Sequence, residues 1–110
     1  MKIDVATTHA EHLQGLMGKT NFKPLLFVYR TSEPRTMHMA NMKSSLDIFW
    51  ISDEGRVIAV HRRVPPNTAH VYPSGASVRY AIEAPPGLLK YRMGKLLDMQ
   101  AVLRTRSLPE

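Results

Sequence analysis

Residues 47–62 read DIFWISDEGRVIAVHR, and the way this stretch folds decides the architecture. Two strongly apolar runs, 47–51 and 56–62, flank Ser-Asp-Glu-Gly. The Asp-Glu-Gly supplies hairpin chemistry, because Gly55 adopts positive φ without the clash a Cβ would bring. The pattern predicts two antiparallel strands joined by a tight turn.

Upstream, PLLFVYR (24–30) is an apolar and aromatic run suited to a buried central strand. TSEP (31–34) reads as a turn, and residues 36–39 as extended. IDVAT (3–7) alternates like a short half-buried strand. Between these lies the one predicted helix, TTHAEHLQGLMGK, with Thr8 and Glu11 in capping-box spacing and Gly18 as its stop. Leu13, Leu16 and Met17 would form its buried face.

Downstream, the prolines of VPPNTAH (64–70) remove ladder donors and exclude an interior strand. VRYAIEA (78–84) alternates, with Val78, Tyr80 and Ile82 on one face and Arg79, Ala81 and Glu83 on the other. After the Pro-Pro-Gly break, DMQAVLRT (98–105) is expected to be the last strand, with Met99, Ala101 and Leu103 inward. Strands outnumbering helices by six to one, with short gaps, predict a mainly β fold with a minor helical part. The expected form is a compact, mostly antiparallel, β-barrel-like sheet closed at one end by one short helix.

The 110 residues have room for one domain, 1–110, and the tail at 104–110 is expected to fray. An apolar fraction of 44% and a charged fraction of 22% are ordinary for a globular chain. The absence of cysteine excludes disulfides, thiolate zinc sites and a thiol nucleophile. MKIDVATTHAEH has no apolar segment of the signal-peptide kind, and no run approaches the roughly 20 residues that cross a bilayer. A soluble chain without a membrane partner, cytoplasmic by default, is the expectation, with a virion as the alternative.

Fifteen Lys+Arg against nine Asp+Glu give a net charge of +6. That favours polyanionic neighbours, but the cations are scattered and no nucleic-acid recognition motif accompanies them. Nucleic acid is therefore expected only through non-specific charge.

The chemistry concentrates in TMHMANMKSSLDIFWI (36–51). Met37, Met39, Met42 and His38 suggest soft-metal ligands, yet in an extended segment His38 points away from Met37 and Met39. Flexible methionines filling core gaps is the simpler expectation, with no metal and no cofactor. Asp47 and Glu83 are the one pair of acids placed to converge from neighbouring strands. Glycoside hydrolysis would require them about 5 Å or about 6.5–9.5 Å apart. Asp47 has a competing use in tying down loop backbone. GLMGK lacks the spacing of a phosphate-binding loop.

The ordered set GLMGK, LLFVY, MHMANMKSSLDIFWISDEGRVIAV and YAIEAPPG resembles the domain of unknown function 192 family, small bacterial and archaeal proteins. Gly15, Leu16, Met17, Met39, Asn41, Leu46, Asp47, Ile48, Gly55, Val57, Glu83 and Gly87 carry the likeness, over about residues 3–103. The chain departs from that pattern with His38 and Ala40 in place of Trp and Lys, Met42 for Thr, and Ser45 for Pro. The resemblance implies a β-rich barrel with a short helix and no attached activity. It also implies a small-molecule or sugar cleft near the Met-x-Asn turn.

The expected function is thus a non-enzymatic binding module for a small ligand or glycan. Its candidate ligand-binding residues are His38, Asn41, Asp47, Trp50 and Glu83, with Tyr29 or Tyr80 as further aromatic surface. The alternatives are a structural subunit meeting a protein assembly partner, and a hydrolase using Asp47 and Glu83.

Overall fold

A computed structural model describes residues 1–67 and 69–110. The elements run β1 (Asp4–Ala6), α1 (His9–Gln14), β2 (Leu25–His38), β3 (Leu46–Ile51), β4 (Val57–Val64), β5 (Val71–Ala84) and α2 (Met99–Thr105). The five strands form one mixed sheet in the order β1-β2-β5-β3-β4. Only β1 and β2 pair in parallel; the other three pairings are antiparallel. The mainly β class and the Ser-Asp-Glu-Gly hairpin between β3 and β4 are as the sequence predicts.

β3 is buried along its whole length, so both faces of the sheet are covered. Leu46, Ile48 and Trp50 pack into one cluster with Phe27, Met37, Met39, Met42, Val64 and Ala81. Phe49 and Ile51 pack into the other, with Leu26, Ile82, Leu89, Tyr91, Met99 and Val102. The three methionines of the Met-His-Met-Ala-Asn-Met run therefore fill core.

β2 and β5 are each 14 residues long and pair to their far ends, His38 opposite Val71. TSEP lies inside β2 rather than in a turn. Register breaks between Val28 and Glu33 and between Pro34 and Thr36 absorb the proline and the change in twist. Val78 packs in the Trp50 cluster, whereas Ile82 is in the Phe49 cluster and Tyr80 packs against it, where simple alternation puts the three together. The long ribbon curls toward β4, where the His61 ring approaches Tyr72 at 5.4 Å and its Nε2 lies 2.9 Å from Pro73 O. β1 and β4 remain the two edges of the sheet.

Residues 99–105, expected as a strand, form α2. Asp98 caps it by accepting from the Ala101 N–H, and Met99 and Val102 are buried at helical spacing. The following tail does not fray. Leu108 is buried, its N–H donates to Met1 O at 2.8 Å, and the Tyr91 hydroxyl donates to Pro109 O. α1 has the expected capping box but ends at Gly15, so Leu13 is exposed while Leu16 is buried beyond the helix. No helix is long and apolar enough to cross a membrane among the described residues.

Candidate functional site

The five expected site residues do not converge. Across the β3–β5 ladder Asp47 pairs with Ala84, and Ile48 with Glu83. Paired residues share a face and successive residues alternate, so Asp47 and Glu83 point to opposite sides of the sheet. No substrate can lie between them, which corrects the expectation of a hydrolytic carboxylate pair.

Asp47 is fully buried on the Phe49 side and every contact it makes is structural. Its Oδ1 accepts from the Arg63 N–H at 2.8 Å, where β4 bulges and Arg63 takes φ 47°. Its Oδ2 accepts from the Gly87 N–H and from Arg62 Nη1, both at 2.9 Å. The Arg62 guanidinium then donates to Leu89 O and Tyr91 O. Asp47 thus joins the bulge to the loop after β5, the backbone-tying role that competed with catalysis in the sequence.

Trp50 is fully buried in the core, and its indole Nε1 has no hydrogen-bond partner among the described residues. It offers no surface for a ligand to stack on. Asn41 is exposed at a left-handed turn (φ 63°), a conformation that asparagine accepts more readily than most residues. Its N–H donates to Asn67 Oδ1 at 3.3 Å and its carbonyl accepts from Gly18, so it anchors loops.

Glu83 and His38 are the two that share a cavity. Both line a cleft of about 330 Å³ between α1, the middle of β2 and the Met-x-Asn turn. Glu83 is only 5% exposed, and its Oε1 has no hydrogen-bond partner among the described residues. Burial pushes its carboxyl up to about 7. Phe27 and Gly15 flank it: a Cβ built on Gly15 would stand 3.5 Å from Glu83 Oε1 and 3.5 Å from the Phe27 ring. The residue that ends α1 therefore sits close against the carboxyl, where a Cβ would be in ordinary contact with it.

His12 on α1 tilts against Tyr29, with ring centroids 4.8 Å apart, and its Nε2 lies 3.0 Å from Ala6 O. With the proton on Nε2, its Nδ1 is left as an acceptor. His38 Nδ1 accepts from the Ala40 N–H at 3.2 Å, which makes Nε2 the protonated nitrogen of the neutral ring. Arg35 stands 3.8 Å over the Tyr29 ring. Burial pushes the Tyr29 hydroxyl up to about 12; Arg35 opposes that shift and Glu83 reinforces it. Met17, Met37 and Met42 supply deformable apolar wall. Among the described residues no three His, Asp or Glu side chains converge to hold a metal.

His12 and Arg35 were not legible as site residues. The capping box fixes the start of α1 but not which side chains overhang β2, and Arg35 falls between the turn-like TSEP and the extended residues 36–39.

A small mixed sheet with both faces covered, a short helix near each terminus and one unpaired buried carboxylate defines the class. The chain belongs to the DUF192 family, described as an uncharacterized ACR, whose model matches residues 1–95. A solved protein from Sinorhizobium meliloti 1021, described as a proposed transcription regulator, is similar at 24% identity and a TM-score of 0.81. The match covers 86% of this chain and 78% of that one. A protein of unknown function from Novosphingobium aromaticivorans DSM 12444 is similar at 24% identity and a TM-score of 0.81, over 86% of this chain and 71% of that one. These likenesses establish the fold. No curated relative matches the chain.

Proposed function

We propose that the chain is a non-enzymatic binding module for a small amphipathic ligand, and that its site is the cleft floored by Glu83. The observation that carries this reading is Glu83, a lining residue of the cleft whose buried Oε1 has no hydrogen-bond partner among the described residues. An unpartnered buried carboxylate is costly, and a ligand that donates a hydrogen bond to it removes the cost. A cleft of about 330 Å³ lies at the small end of the ligand-site range.

The surroundings narrow the chemistry. The thioethers, Leu16 and Phe27 suit an apolar body, Glu83 suits a hydroxyl or amide donor, and His38 offers a donor to an acceptor on the ligand. Tyr29 is already covered by Arg35 and flanked by His12, so a sugar would bind by its hydroxyls more than by stacking. The missing second carboxylate favours binding over hydrolysis.

The test is a thermal-shift and calorimetric screen of small alcohols, amides and mono- and disaccharides against the native chain and Glu83→Gln. The reading expects at least one class to raise Tm and to lose about tenfold or more in affinity in the variant, the size of one good hydrogen bond to a charged group. Ligands that bind the variant equally well would place recognition elsewhere. No ligand at all from these classes would count against a small-molecule site.

A further inference from the structure

On the other side of the sheet, a second cavity of about 500 Å³ is lined by Leu88, Leu89, Tyr91, Lys90, Arg92 and Lys95. We propose that it binds a small amphipathic organic anion, an aliphatic carboxylate, with the acid group held by the three cations and the chain laid against the leucines and Tyr91. This inference is independent of the Glu83 cleft, which lies on the opposite face.

The first support is the construction of the loop. The Arg62 guanidinium, fixed by Asp47, holds Leu89 O and Tyr91 O at 2.9 and 2.8 Å. Gly94 N–H donates to Val57 O at 2.7 Å, Val57 N–H to Lys95 O at 2.8 Å, and Arg56 Nη1 to Gly94 O at 2.8 Å. The Tyr91 hydroxyl is tied to Pro109 O. Leu89, Tyr91 and Leu97 are buried as anchors. A segment without helix or strand is thereby held in one shape, and a preformed cavity loses little entropy when a ligand enters.

The second support is what the loop turns outward. Leu88, on the cavity lining, is 42% exposed, and Met93 and Leu96 of the same loop, off the lining, are 68% and 55% exposed. Lys90, Arg92 and Lys95 alternate with them, and none of the three is in an ion pair among the described residues. Apolar surface interleaved with unpaired cations complements a molecule that is itself apolar with one negative end. Glu110 is the single acid on the lining; it opposes any anion and offsets part of the pull of the three cations, and it weighs most against a ligand of higher negative charge. The apolar floor disfavours a bare phosphate or a nucleic-acid backbone.

The experiment is an amide NMR titration with calorimetry on the full chain, using decanoate below its micelle concentration and decanol as the uncharged control. Decanoate should shift the amides of residues 88–95 in a saturable way and bind more tightly than decanol. Lys90→Gln with Lys95→Gln should weaken decanoate about tenfold, and added salt should weaken it further. Both lysines are exposed, so the variant should keep the native spectrum elsewhere. Leu88→Gln should weaken both probes, while Glu83→Gln should change neither. Equal binding of decanol and decanoate would overturn the proposal, as would shifts confined to the Glu83 cleft. Association only with anionic or zwitterionic vesicles, without a saturable site for the free acid, would overturn it too.

Discussion

Asp47 and Glu83 occupy adjacent rungs of the β3–β5 ladder, opposite Ala84 and Ile48, and face away from each other through the sheet. One is saturated with partners and the other has an oxygen with none. Two acids that look equivalent in the sequence therefore do different work. Asp47 assembles loops on one face, and Glu83 leaves a chemical demand unmet on the other.

Asp47→Ala should cost about 3 kcal/mol of folding stability. The substitution leaves two backbone N–H groups and a guanidinium without their acceptor, and removing one member of a buried ion pair costs about 3–5 kcal/mol. Arg62 is 41% exposed and can regain some hydration, which puts the loss at the low end of that range. Asp47→Asn keeps one acceptor oxygen and should lose less. Urea denaturation of the two variants tests this, and a loss below about 1 kcal/mol for alanine would refute the clamp.

Glu83 should make the protein more stable in acid than at neutral pH. Its folded carboxyl is raised from 4.5 to about 7, so between those values the native state holds a proton that the unfolded chain has released. Stability from this group is full below about pH 4.5 and falls as pH rises through the folded value, by about 3 kcal/mol in all. Glu83→Gln should flatten that part of the profile and exceed the native chain in stability near about pH 8. Parallel denaturation series across pH test this. Identical slopes for both proteins would mean that the carboxyl titrates normally.

The sequence carried the sheet better than the site, for a physical reason. The β3–β4 hairpin is local: its turn chemistry and its apolar runs lie within 47–62, and they specify each other. The capping box of α1 is local in the same way. The fate of 98–105 is not, because Met99, Val102 and Leu103 fit helical spacing as well as Met99, Ala101 and Leu103 fit a strand. The facing of Glu83 relative to Asp47 depends on register between strands far apart in sequence, and a shift of one residue reverses it. Asp47 and Glu83 were legible as unusual acids, whereas their separation required the ladder.

Thr8→Ala should cost about 1 kcal/mol and also weaken any ligand of the Glu83 cleft. The Thr8 side chain accepts from the Glu11 N–H at 3.1 Å, and Glu11 Oε1 accepts from the Thr8 N–H at 3.0 Å. α1 has six residues and buries none of its side chains, so the cap is a large share of what holds it. Because His12 lines the cleft from this helix, fraying would loosen one wall. Hydrogen exchange at His12 and Gly15 should accelerate in the variant, while exchange in β3 should stay slow. Unchanged exchange at both positions would show that packing alone holds the helix.

Gly55→Ala should be among the most damaging single changes in the β3–β4 turn, where Gly55 is buried. Gly55 lies at φ 94°, and a Cβ built there would stand 2.2 Å from Leu97 O, far inside contact distance. The neighbour cannot swing aside, because it is backbone and the Leu97 N–H donates to Gly55 O at 2.8 Å. Strain at such a φ costs about 1–3 kcal/mol, and displacing Leu97 adds to it. Gly75 has a similar φ of 76° with open space around it, so Gly75→Ala carries the conformational cost alone, about 1 kcal/mol. The difference between the two variants in urea midpoint isolates the clash between the hairpin turn and the loop. Gly55→Ala should also speed hydrogen exchange at Val57 and Gly94, whose N–H groups pair the same loop with β4. Equal losses for the two glycine variants would mean that the turn and the loop do not press on each other.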